Sequence, residues 1–188
     1  MFKSFIVAAA LVVTTAAHAS DTLATFVFKK QIAQVQGVIK AQGLNWQVGD
    51  TNNYKLNMGG FLNGSMKMYV REIAADGIWM VQDIDLMIQK QKVEVLLDQA
   101  TGEIKKMLVN GQEQTPPSSN PEIIDQKEAT VTVPAGTFKT IYLKIKDGDQ
   151  TSEMWVNPRD IPLSGMAKSL ADSQIGKVTI ELQSFTKK

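Results

Sequence analysis

From Tyr54 almost to its C-terminus the chain alternates apolar and polar side chains. Tyr54, Leu56 and Met58 alternate with Lys55 and Asn57, and Met66, Met68 and Val70 with Lys67, Tyr69 and Arg71. Ile78, Met80, Ile84, Leu86 and Ile88 share one parity, with Gln82 as the exception. Val93, Val95 and Leu97 alternate with Lys92, Glu94 and Leu96. Successive side chains of a strand point to opposite faces, so a period of two gives each strand one apolar and one wet face. Half-buried strands of this kind belong to antiparallel sheets. A one-sided sheet of this length must curl on itself or be covered by another element.

The connections fit hairpins. Asp76-Gly77 follows the second strand, and Asp98-Gln99-Ala100-Thr101-Gly102 leads into a strand over 103–109. Asp147-Gly148-Asp149 joins strands over 137–146 and 150–156, and Gly59-Gly60 with Asn63-Gly64 marks a wider turn. The pattern predicts about nine strands, the last over 177–185. Residues 112–122 hold Pro116, Pro117 and Pro121 among Ser, Asn and Gln, and read as a flexible polar loop dividing two groups of strands. Residues 165–171 read as a short helix.

Before the alternation begins, the period is different. Leu23, Phe26, Val27, Ile32, Val35, Val38 and Ile39 recur at spacings of three and four, which predicts an amphipathic helix over 22–42. Asp21 is its N-cap candidate and Gly43 its stop. Residues 1–19 have a charged start at Lys3, an apolar run from Phe5 to Val13 and the small-x-small site Ala17-His18-Ala19. That is a secretory signal peptide with cleavage expected after Ala19, which places the protein in the periplasm or the medium. About 169 residues then remain, one β-rich domain over 20–188 by length. The predicted fold class is mainly β: a curved antiparallel sheet or partial β-barrel, with the N-terminal amphipathic helix packed on its apolar face.

Composition narrows the chemistry. The chain has no cysteine, and its one histidine, His18, lies in the predicted leader. Imidazole- and thiol-based catalysis is therefore not expected in the mature protein, and no metal or cofactor is expected. Of 20 basic residues Lys3 belongs to the leader, so the remainder balances the 19 acidic ones and no nucleic-acid partner is expected. No later stretch reaches the ~20 apolar residues of a transmembrane helix. Gly-x-Ser-x-Gly and a Gly-rich phosphate loop are absent, and Asp147-Gly148-Asp149 lacks the later ligands of a calcium loop. Asp83 and Asp85 share a strand face, as a carboxylate pair for glycoside hydrolysis would, but on the wet parity. The stretch Asn157-Pro158-Arg159-Asp160-Ile161-Pro162 reads as a rigid connection whose charges face a partner or each other.

The methionines bear on what fills the concave face. Nine are present, and Met58, Met66, Met68 and Met80 share the inward parity. Three readings are open: deformable core filler, a cavity that accommodates an apolar ligand, and a thioether copper(I) site around Met66 and Met68. The candidate apolar cavity is lined by Met58, Met66, Met68, Met80, Ile84, Leu86 and Val95.

Val131-Thr132-Val133-Pro134-Ala135-Gly136-Thr137-Phe138-Lys139-Thr140 resembles a turn signature of uncharacterised exported bacterial all-β proteins. Glu153-Met154-Trp155-Val156, Ile161-Pro162-Leu163-Ser164-Gly165 and Trp46-Gln47-Val48-Gly49-Asp50 extend the resemblance over about 45–185. Its physics is structural: Pro134 ends one strand, Gly136 permits the turn and Phe138 re-enters the core. The helix-then-curved-sheet layout also resembles the periplasmic lipoprotein-carrier (LolA/LolB-like) fold. That resemblance implies a non-enzymatic protein that binds or carries a lipid, acyl chain or hydrophobic peptide. The alternative is a structural or interaction protein of the cell envelope with a filled core. A carboxylate-only hydrolase is the third reading.

Overall fold

The computed structural model describes residues 44–60, 62–87, 89–116, 122–148, 150–173 and 176–188. The predicted signal peptide and the helix over 22–42 lie outside the described residues. Among the described residues, eleven strands form one antiparallel sheet. They are β1 (Thr51–Met58), β2 (Leu62–Ala74), β3 (Gly77–Leu86), β4 (Gln89–Leu97), β5 (Ile104–Val109), β6 (Gln112–Gln114), β7 (Glu122–Val133), β8 (Gly136–Asp147), β9 (Gln150–Val156), β10 (Met166–Ser173) and β11 (Gly176–Thr186).

Their spatial order is β6-β5-β4-β3-β2-β1-β11-β10-β9-β8-β7. From β1 at the centre the strands step outward to β6, resume at the opposite edge with β7 and step back until β11 lies beside β1. Two meanders are thus joined along the β1–β11 ladder, where Tyr54 faces Leu182 and Leu56 faces Ile180. Among the described residues, edge strands β6 and β7 do not pair, so the sheet they form is open.

It is nevertheless strongly curled. In a flat sheet β7 would stand four strand spacings, about 19 Å, from β11. Yet the Ala135 N–H, in the turn between β7 and β8, donates to Leu182 O at 3.2 Å. The rings of Phe138 and Phe185 lie 6.2 Å apart. The Val-Pro-Ala-Gly-Thr-Phe turn therefore folds one corner of the sheet back over β11.

The alternation seen in the sequence becomes inner and outer faces. Across one inner row Leu182, Tyr54, Met66 and Ile84 are consecutive cross-strand neighbours, and all are buried. The next row runs Asn52, Met68, Gln82 and Val93. Outward, Lys127, Tyr142, Trp155, Lys168, Glu181 and Lys55 follow one another across six strands. Opposite charges meet there, as in Lys168–Glu181 at 2.8 Å.

Two local readings need correction. Residues 165–171, read as a short helix, lie mostly in β10, because Ser169 and Ala171 face inward with strand spacing and Lys168 faces out. The start of the 112–122 loop is β6: Asn110 (φ 51°) and Gly111 (φ 81°) turn the chain, and Val109 faces Gln112. Gln82, read as the polar exception on the apolar parity, does sit on the inner face, buried between Met68 and Val93.

Candidate functional site

The inner face is the candidate site, and methionine dominates it. Met58, Met66, Met68, Met80, Met107, Met154 and Met166 are each no more than 3 % exposed. They come from β1, β2, β3, β5, β9 and β10, so the cluster spans both meanders. Of the residues predicted to line a cavity, Met58, Met66, Met68, Met80, Ile84 and Val95 are buried, and Leu86 is partly buried against them. Sequence parity did not bring in Met107, Met154 and Met166, which carry the same alternation in later strands.

Leu86 owes its position to a glycine. Gly64 faces it across the β2–β3 ladder, and a Cβ there would stand 2.7 Å from Leu86 Cδ2 and 2.6 Å from Asp85 O. The missing side chain lets Leu86 lie across β2. Gly64→Ala is expected to push Leu86 outward and to cost about 1–3 kcal/mol by overpacking, read from the urea midpoint.

One end of the inner face carries a polar cluster. The Asn52 amide donates to Tyr54 Oη at 3.0 Å and to Pro162 O at 2.9 Å. The Tyr54 hydroxyl donates to Met166 O at 3.1 Å. Burial, opposed by hydrogen bonds to Ser164 and Asn52, pushes the Tyr54 pKa well above its ordinary value. Tyr54 is thus a fixed neutral donor and is unsuited to acid–base work near neutrality. These bonds tie the loop over 157–165 to β1.

That loop, read as a rigid connection, is partly buried. Ile161, Leu163 and Ser164 are buried, while Arg159 and Asp160 point outward. Asn157 organises it: its amide donates to Asp160 Oδ2 at 2.7 Å and Lys139 O at 3.0 Å, and its Oδ1 accepts the Asp160 N–H at 2.9 Å. Leu163 takes a positive φ of 57° to turn its side chain inward.

The outer face shows how the remaining candidates are used. Asp83 and Asp85 face outward and pair with Lys92 (3.9 Å) and Lys90 (2.9 Å) on β4. Trp79 is half-buried beneath the Arg71 guanidinium, 4.6 Å from its ring, and Arg71 also pairs with Glu94. The two Asp–Lys pairs are exposed cross-strand pairs of the weak kind. Asp83→Asn is expected to change stability by less than about 0.5 kcal/mol in thermal unfolding. Among the described residues, no group of three or more Asp, Glu, His or Cys is placed to hold a metal ion. No helix among them is long and apolar enough to cross a membrane.

No family model matches the chain, and no curated protein matches it. Two solved structures are similar. MucB has a TM-score of 0.39 and 13% identity over 92% of this chain and 59% of its own, so the chain spans about three fifths of that protein. A DUF1329 family protein from Desulfovibrio piger has a TM-score of 0.34 and 10% identity over 88% of this chain and 92% of its own. Both likenesses are of general layout and say nothing of the inner face's chemistry.

Proposed function

We propose that the protein is a non-enzymatic periplasmic or secreted binding protein that shelters an apolar ligand (a lipid, acyl chain or hydrophobic peptide) against the inner face of its open sheet. The observation that carries this reading is the methionine cluster on the inner face. Seven unbranched, deformable side chains face inward from a sheet whose edges do not meet. Methionine suits surfaces that repack around varied apolar shapes, at the cost of defining a single packing poorly. An open edge lets the sheet widen without breaking a closed ladder.

A second reading, a structural or interaction protein of the cell envelope with a filled core, has its own support. The inward side chains are almost wholly shielded from solvent. Titration of delipidated protein with N-phenyl-1-naphthylamine separates the two. The binding reading expects a saturable rise in fluorescence that a long-chain fatty acid reverses. A flat titration favours the filled core.

A further inference from the structure

We propose that the free edge of β7 is the interface of a two-fold dimer, in which β7 pairs antiparallel with β7 of a second copy about an axis through Gln126. Among the described residues β7 ends the sheet, and residues 122–128 are exposed on both faces. Ile123 and Ile124 there are 51 % and 45 % exposed. An exposed edge strand with apolar side chains is a template for another strand.

The charges favour one register. Lys127 lies opposite Tyr142, its ammonium 4.8 Å from the ring centre, and Asp125 lies opposite Lys144. Both are on the wet face. Gln126 faces the buried Leu143 and is on the inner side. A two-fold axis normal to the sheet keeps each face in register with the same face of the second copy, so it must pass through a residue. Through Asp125, Lys127 or Glu128 it sets like charges against each other. Through Gln126 it sets Asp125 against Lys127 of the second copy, and Lys127 against Asp125 of the second copy, making two ion pairs. Opposite charges directly across an antiparallel pair stabilise it and like charges destabilise it.

Asp125 and Lys127 already touch within their own strand at 3.4 Å, so pairing exchanges two exposed intrastrand contacts, one in each copy, for two cross-strand ones. Edge β6 has only three residues, too short to substitute for β7. An isologous contact through β7 also closes on itself and does not propagate into fibres. The irregularity between Ile123 and Asp125 limits the regular ladder to residues near the axis, which makes the dimer weak and concentration-dependent.

Sedimentation velocity over a concentration series tests this. The wild-type chain is expected to shift from monomer to dimer as concentration rises. Asp125→Lys and Lys127→Asp alone should each weaken association by about tenfold, since each converts two attractive pairs into repulsive ones. The double swap should restore it. Both positions of change are exposed, and unchanged circular dichroism will show that folding is intact. A wild-type chain that stays monomeric, a dimer indifferent to the single reversals, or a double swap that fails to recover would each overturn the proposal.

Discussion

Gly165→Ala is expected to lower stability by about 3 kcal/mol or more and to release the loop over 157–165. Gly165 has φ 67°, and a Cβ would stand 2.7 Å from both Pro158 Cα and Pro158 N. The first term is the left-handed conformation, about 1–2 kcal/mol for a residue with a side chain. The second is collision with backbone that cannot swing away. That backbone is clamped, because the Asn157 N–H donates to Gly165 O at 2.7 Å and the Gly165 N–H to Pro162 O at 3.2 Å. Displacing the loop also removes Pro162 O from Asn52 and Met166 O from Tyr54. Urea unfolding should show the loss, and amide exchange should show it first at Ile161 and Gly165. Gly148→Ala is the matched comparison. Gly148 has φ 61° but no atom near its missing Cβ, so only the conformational term of about 1–2 kcal/mol applies.

Met68→Ala is expected to cost about 2–5 kcal/mol, while Met87→Ala should be neutral within about 0.5 kcal/mol. Met68 is fully buried, between Asn52 and Gln82 in its inner row. Truncation there removes apolar contact and leaves a void between two polar side chains. Met87, 79 % exposed after the end of β3, loses little. The difference between the two midpoints in urea reads out how much of the methionine content is interior. A small effect at both positions would show that the inner face is not a packed surface.

Much of the sheet was legible because its inner and outer faces have opposite solvents. That is why the strand over 150–156 matches β9 and why Asp83 and Asp85 fall outward as their parity implies. The misses have physical causes. The Asn110-Gly111 turn carries a strong hairpin signal, but three polar residues, Gln112–Gln114, have no apolar alternation to announce an edge strand. Residues 165–171 resemble a helix because small residues such as Gly165, Ala167 and Ser169 are compatible with either period. In the fold Ser169 and Ala171 are buried opposite Ile180 and Val178. The buried loop over 157–165 was illegible for another reason. Its inward course depends on Asn157 meeting Lys139 O and on Asn52 meeting Pro162 O, the latter 110 positions apart, and neither contact leaves a local mark. On the inner face the burial of Met58, Met66, Met68 and Met80 was readable from parity, whereas the polar cluster at Asn52 and Tyr54 required the third dimension.

The most direct test of the central claim, that the methionine-lined inner face holds an apolar ligand, is native mass spectrometry of protein released gently from the producing cell's envelope. The account predicts a population carrying adducts whose masses match lipids or hydrophobic peptides, lost on delipidation and regained on mixing with the same molecules. Bare protein before and after mixing would contradict it.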